Sequence, residues 1–474
     1  MDDLINAING VIWSNALIVL CLGAGIYFSV VTRLLQVSHL KEMVQLLFKG
    51  SSSEKGVSSF QAFSIAVAGR VGTANIAGVA TAIAMGGPGA VFWMWVMAFL
   101  GSASAFIESV LAQIYKEVKD GQYRGGPAYY MEKGLGKRWY AVIFAIVIAV
   151  SSTAFFPGVQ SNTIASGMAN AFSIPPVYTG VVVTALCGLI IFGGVRRIGK
   201  MAEIVVPFMA GAYILMAVII ILMNVTRIPE VLSLIFRSAF DLEPAFGGIF
   251  GMAVSWGVKR GIYSNEAGLG TAPHAAAAAE TSHPVKQGLV QAFSVYLDTF
   301  LVCTATAFII LFTGQYNVVN PAGGFFVENL PGVEAGSEFT QFGVNTHFPA
   351  LGAGFVAISL FLFAFTTIIA FYYIAESNLS FLEKKETTRW KLNLMRLMLL
   401  AAVFYGSVKS AESAWALGDM GVGIVAWLNI VAIILLRKPA LVALRDYRQQ
   451  RKAGLDPVFD PVKLGIRNAD EWKR

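Results

Sequence analysis

The chain has 474 residues, of which 56% are hydrophobic and 13% charged, with a formal net charge of +7. Soluble globular domains carry about 25% charged residues, so the composition excludes that class and calls for a chain solvated mainly by lipid. The basic balance does not point to nucleic acid, because the Lys and Arg residues flank apolar runs rather than forming a solvated block.

Apolar runs of about 20 residues, long enough to cross a bilayer, recur along the chain. Eleven are predicted, at 11–34, 60–85, 89–114, 139–168, 177–195, 202–224, 246–272, 289–313, 350–375, 392–410 and 416–436. The expected fold class is an all-α integral membrane protein with about eleven transmembrane helices. Met1-Asp2-Asp3 lacks the positive region of a cleaved signal peptide, so the first span is expected to be retained. Cys21, Cys187 and Cys303 fall inside spans with neither metal-ligand spacing nor a disulfide pattern. No Walker loop and no HExxH helix is present.

Alternate loops divide the charge. One side, with 35–59, 115–138, 196–201, 273–288 and 376–392, holds eighteen Lys and Arg once Arg33 is included. The other holds three: Arg227, Arg237 and Lys409. The basic side is expected to be cytoplasmic, which puts the N-terminus outside and the tail after Arg437 inside, in a bacterial-type plasma membrane. That tail is expected to be solvated or to touch anionic lipid. The loop 314–349 has no Lys or Arg but has Glu328, Glu334 and Glu338, and is expected to form part of an outer lid.

The second span is interrupted. Phe60 to Ala68 is apolar, and Gly69-Arg70-Val71-Gly72-Thr73-Ala74-Asn75 follows at mid-membrane depth. Two glycines and a charge favour an unwound segment there. Asn75 is expected to cap a second half-helix, whose positive end would hold an anion on backbone amides. The freed carbonyls of Ala68 and Val71 suit Na⁺. In the fourth span, Gln160 inside lipid implies a cavity or a partner helix.

The seventh span repeats the second. Arg70, Asn75, Ala77-Gly78 and Thr81-Ala82 recur 190 residues later as Arg260, Asn265, Ala267-Gly268 and Thr271-Ala272. The expected break is Gly257-Val258-Lys259-Arg260-Gly261, with Ser264 or Asn265 capping the second half. A matched pair of broken segments points to a transport site between inverted repeats. The bland alternative is a repeat kept for helix packing. Arg70, Lys259 and Arg260 within spans cost about 2.5–3.5 kcal/mol each and call for partners. Asp298 in the eighth span is the first candidate, then Glu266 and Glu108. Arg70, Arg260 and Asp298 are read as structural ion-pair or coupling and gating residues. In the ninth span, Thr366 and Thr367 offer adjacent hydroxyls to a hard cation, or back-bond to their own helix.

With these residues in hand, the chain resembles the alanine/glycine:cation symporter family. The resemblance rests on Gly72-Thr73-Ala74-Asn75-Ile76-Ala77-Gly78-Val79, on Gly86-Gly87-Pro88-Gly89-Ala90-Val91-Phe92-Trp93-Met94-Trp95, and on Lys259 through Gly270. It implies a leucine-transporter-type fold of eleven helices that imports small neutral amino acids with Na⁺ or H⁺. The implied cation ligands are Ala68, Val71, Phe363, Thr366 and Thr367. The substrate-binding residues expected are Thr73, Ala74, Asn75, Gln160, Trp256, Gly261, Ser264, Asn265 and Phe371. Two positions depart from the pattern: Ala74 and Phe371 stand where many members have Gly and Trp, so the pocket is expected to admit more than Gly and Ala.

The domains expected are a peripheral helix 11–34, five-helix repeats 60–224 and 246–436, and the tail 437–474. The function expected is symport of alanine or glycine with Na⁺ by alternating access. Proton coupling through Asp298 or Glu266 is the alternative. A channel would need a polar stripe along whole helices, and a membrane-embedded enzyme a catalytic constellation that His274, Glu280 and His283 are too poorly spaced to supply.

Overall fold

The computed structural model describes residues 2–50, 52–192, 195–243, 246, 248–383 and 387–472. The side chains of Arg196 and Arg197, and residues Lys384 and Lys385, all counted for orientation, lie outside the described residues. The two short β-hairpins are Glu117–Lys119 with Gln122–Arg124 and Asn317–Val319 with Phe325–Glu328. The rest of the ordered architecture is helical.

Seven described helices are long and apolar enough to cross a membrane, and an eighth span forms if the bent pair Asp3–Ile12 and Asn15–Val31 counts as one. The other predicted spans are helical but short or split. The second becomes Ser59–Arg70 and Ala77–Gly86, the fifth Pro176–Ile191, and the seventh Phe250–Asn265 and Ala272–Ala278. The helices Pro176–Ile191 and Val195–Met223 carry large apolar side chains outward, with Leu189 67%, Phe208 70% and Leu222 65% exposed. A surface of that kind needs a lipid or protein partner, and the chain is an integral membrane protein.

The helix Gly352–Leu382 runs through the middle, with Phe363 to Ala375 all buried. It packs on both halves of the structure around the broken helices. Two π-helical turns interrupt long helices, Ser151–Phe155 within Arg138–Phe172 and Leu297–Cys303 within Pro284–Thr313. Such turns rotate the side chains that follow them and recur at functional positions.

The first break lies in the expected stretch but is shorter than expected: Ser58 forms a capping box at the start, the helix continues through Gly69 and ends at Arg70, and a 3₁₀ turn spans Thr73–Asn75. The second is displaced. The helix Phe250–Asn265 passes unbroken through Gly257 and Gly261, and the chain unwinds only at 266–271. A Cβ at Gly257 would sit 2.5 Å from the Ala90 carbonyl oxygen, and one at Gly261 3.1 Å from Met97 Cβ. Those glycines let this helix press on Gly89–Ile114. Gly268 and Gly270, at φ +85° and +81°, make the turn.

The tail packs part of its surface on the rest of the chain, while its basic Arg445, Arg451 and Lys452 stay exposed. The helix Arg437–Lys452 and the segment after it fold back beneath the bundle. His283 is enclosed by Tyr447 and Phe459, with ring centroids 5.1 and 5.4 Å away. Phe459 N donates to Ser282 O at 2.9 Å, and Trp472 Nε1 donates to Gln113 O at 2.8 Å. The loop 314–349 forms the second hairpin and the helix Ser337–His347, where Ser166 Oγ donates to Glu338 Oε1 at 2.7 Å.

Candidate substrate and cation site

The first break and the last turn of the helix Phe250–Asn265 meet at Asp298, a fully buried carboxylate on the second π-helical turn. Asn75 Nδ2 donates to its Oδ1 at 2.6 Å, and Ser264 Oγ and Thr299 Oγ1 each donate to its Oδ2 at 2.8 Å. Asp298 is therefore satisfied by neutral groups and holds neither Arg70 nor Arg260, contrary to expectation. Asn75 is oriented by two bonds: its Oδ1 accepts from Gly72 N at 2.8 Å. It ties the 3₁₀ turn back on itself rather than capping Ala77–Gly86, whose N-cap Ile76 has no side-chain bond.

Arg70 is 1% exposed, and its Nη1 donates to the Gln291 carbonyl at 3.1 Å and to Ser294 Oγ. Its Nε and Nη2 have no hydrogen-bond partner among the described residues. Arg260 pairs instead with Asp419 on the helix Ala411–Leu435, at 2.7 Å, and Lys259 reaches the same carboxylate at 2.6 Å. The two repeated arginines thus have different surroundings.

Gln160 Oε1 accepts from Thr73 N at 3.0 Å, so one amide of the first break is already engaged by a side chain of the fourth span. Phe156, one turn before Gln160, lies against Phe371 with ring centroids 5.1 Å apart. Trp256 stacks over the Lys259 and Arg260 charges, and Asn265 Oδ1 accepts from Ala267 N at 3.0 Å. Neither Ser264 nor Asn265 caps Ala272–Ala278, and the side chain of its N-cap Thr271 donates to Glu266 Oε2 at 2.7 Å instead of capping the helix. The Cα of Gly261 faces Met94 and Met97 of the helix Gly89–Ile114. Glu108 accepts from Gly268 N at 3.3 Å and from Gly270 N at 3.0 Å, and Asn429 donates to the same carboxylate at 2.8 Å. The amides of the second break therefore already engage a carboxyl group of the protein itself, whereas the Gly72 and Thr73 amides of the first break are bonded to neutral side chains.

The expected cation ligands come together around one hydroxyl. Thr367 Oγ1 donates to Ala68 O at 2.8 Å and lies 3.4 Å from Val71 O and 3.0 Å from Phe363 O. Thr366 Oγ1 turns the other way, to Phe363 O at 2.9 Å and Met209 Sδ at 3.8 Å. These are hard, neutral oxygens in a buried setting, a donor set unsuited to a soft transition metal. No group of three or more His, Cys, Asp or Glu with metal-binding geometry occurs among the described residues.

The sodium:alanine symporter family pattern matches residues 1–461. The chain belongs to the sodium:alanine symporter family. A member from Bacillus subtilis (strain 168), YrbD, is 63% identical over the whole of this chain and 98% of its own length. The sodium/proton-dependent alanine carrier protein of Bacillus sp. (strain PS3) is 53% identical over 91% of this chain and 97% of its own. The sodium/alanine symporter AgcS of Methanococcus maripaludis is 37% identical over 95% and 98%. As a family member the chain is a transporter and not an enzyme. A solved Na⁺-coupled sialic acid symporter shares the fold, with a TM-score of 0.52 at 14% identity over 98% of this chain and 96% of the other.

Sequence reasoning missed Asp419 as the partner of Arg260. An acid inside the predicted span 416–436 was the available signal.

Proposed function

We propose that this family member is a secondary active symporter of small neutral amino acids, alanine above all, driven by Na⁺. Glycine is a second substrate. The observation that carries the reading is the Thr367 hydroxyl set on the Ala68 and Val71 carbonyls. Na⁺ there would bridge the first broken helix and the helix Gly352–Leu382, with Phe363 and Thr366 completing the shell after a rotamer change at Thr366. The substrate carboxylate would replace Gln160 on the amides near Thr73 and Ala74, and Gln160, with Phe371 and Phe156 beside it, would turn to the ammonium. Asp298 couples the first break to the helix Phe250–Asn265, Arg70 lies on the inner side, and Arg260 closes the outer side against Asp419.

The architecture read here is two five-helix inverted repeats, 60–224 and 246–436, with a peripheral first helix and an inner tail. Alternating access follows by rocking one bundle on the other. The inner face is the Lys- and Arg-rich one, in a bacterial plasma membrane, with the N-terminus outside. The sign of coupling follows from linkage: each ligand raises affinity for the other by the same factor. Proton coupling is the second reading, favoured by the buried Asp298 carboxylate that the first break and the helix Phe250–Asn265 share. Alanine uptake into proteoliposomes under an imposed Na⁺ gradient or an imposed H⁺ gradient decides between them, and uptake indifferent to both sinks the symport reading.

A further inference from the structure

The wall beside Ala74 holds more positive charge and more unused donors than its own partners account for. Lys259 and Arg260 share one carboxylate, Asp419. The Arg260 guanidinium is enclosed by the rings of Trp415, Trp256 and Tyr263, at 4.3, 5.1 and 5.7 Å. Within it, Arg260 Nε and the Tyr263 hydroxyl have no hydrogen-bond partner among the described residues, although these residues are 2% and 7% exposed. On the facing 3₁₀ turn, Thr73 Oγ1 is also buried and without a partner among the described residues. Buried polar groups in native proteins are nearly always bonded, so unused donors gathered round one charge call for an acceptor.

These groups surround one place. A Cβ at Gly78, one turn after Ala74, would sit 3.2 Å from Ala74 Cβ, 3.8 Å from the Trp415 ring and 3.9 Å from Arg260 Cδ. The Tyr263 hydroxyl and Val159 Cγ2 would each lie 2.5 Å from a Cβ at Gly418. Val159 precedes Gln160, whose side chain is bonded to Thr73 N. The missing acceptor therefore lies where the first break meets Gln160.

We propose that Tyr263 is a substrate-binding residue: its hydroxyl, together with Arg260 Nε, donates to the carboxylate of the transported amino acid. This rests on the reading of the site as an amino-acid site. The carboxylate brings the negative charge that the Lys259, Arg260 and Asp419 cluster lacks. Its arrival draws Arg260 and Trp415 over the site, so closure requires a carboxylate and not merely a small amine.

The test uses the full-length protein in proteoliposomes. Tyr263→Phe keeps the ring against Trp415, 5.3 Å away, and removes only the hydroxyl. The KM for L-alanine is expected to rise about tenfold, the loss of one charge-assisted hydrogen bond, while maximal rate and Na⁺ half-saturation change less than about twofold. Alaninol, which has the ammonium but no carboxylate, gives a second reading. Its inhibition constant relative to that of alanine is expected to fall by the same factor in the variant. Gly418→Ala, which crowds the hydroxyl, is expected to raise KM alone but to add nothing on top of Tyr263→Phe. An unchanged KM with an unchanged alaninol ratio, or additive effects of the two substitutions, overturns the proposal. Absence of alanine uptake by the unaltered protein under either gradient would instead sink the amino-acid reading of the site.

Discussion

Asn75 and Asp298, 223 residues apart, are joined side chain to side chain at 2.6 Å in the buried centre of the protein. The same carboxylate accepts from Ser264, so one acid holds the first broken helix to the last turn of Phe250–Asn265. A movement that separates these two segments must break these bonds.

Asp298→Ala leaves the buried Asn75 and Ser264 donors with only the weak acceptor Cys303 Sγ, at 3.3 and 3.1 Å, and for Asn75 the residue 298 carbonyl at 3.4 Å. Each unsatisfied group costs about 1–3 kcal/mol, so a clear fall in the melting temperature of the detergent-solubilised protein is expected. Asp298→Asn retains most of the bonding and separates the coupling readings. Na⁺-driven uptake is expected to survive it, whereas a proton-carrying Asp298 predicts loss of H⁺-driven uptake in the same vesicles.

Thr367→Ala is expected to raise the Na⁺ concentration for half-maximal alanine uptake by about tenfold or more, because its hydroxyl lies on Ala68 O and Val71 O. Thr366→Ala is expected to have a smaller effect, since its hydroxyl faces Met209. Equal Na⁺ activation curves for Thr367→Ala and the unaltered protein would remove this cation site.

Asp419→Ala strands two cations, Lys259 and Arg260, in a site where their shared partner is 5% exposed. Removing one partner from a buried ion pair costs about 3–5 kcal/mol. Thermal melting with and without saturating alanine is the measurement. The carboxylate of a bound substrate is expected to recover part of the loss.

The glycines of the seventh span are expected to fail for different reasons. Gly257→Ala drives a Cβ into the Ala90 backbone and should lower stability without a selective change in KM. Gly268→Ala and Gly270→Ala are strained by positive φ. At Gly270 a Cβ would also meet Pro127 Cγ at 2.4 Å. These two should distort the bonds to Glu108 and slow turnover, measured as maximal uptake rate at matched protein incorporation.

The docked tail should weaken in acid. Burial pushes His283 down to about 4 from its ordinary 6.5, against the opposing pull of Asp446 and with Lys286 helping to lower it. Freed from the tail, the imidazole binds a proton more readily, so the stability of docking is fully present above pH 6.5 and is lost as pH falls through 6.5 towards 4. Burial likewise lowers Lys116 to about 7 from 10.5, with Glu280 and Glu471 opposing. Its contribution has the same sign, growing between pH 7 and 10.5. Protection of residues 453–472 in hydrogen exchange is expected to decrease from pH 7.5 to 4.5, and His283→Gln should flatten that dependence.

Part of the candidate site's geometry was legible in the residues themselves. Gly69-Arg70-Val71-Gly72 placed the first break, because glycine and charge at membrane depth cannot be mistaken for lipid-facing helix. Thr367 with Ala68 and Val71 was legible from the resemblance and from the hydroxyl chemistry. The second break was misplaced because glycine has two uses. At 257 and 261 it serves close helix approach, and at 268 and 270 positive φ, and the letter is the same in both.

By itself the sequence determined lipid solvation, the apolar spans, the repeated motif and the first unwound segment. These depend on composition and on local backbone preference, which act over a few residues. Only the tertiary structure decided which acid each buried base meets, why the repeated arginines diverge between Ser294 and Asp419, and where the tail lies. Those are contacts between segments far apart in the chain, and the field at a buried charge is set by whatever packing brings within a few ångströms of it.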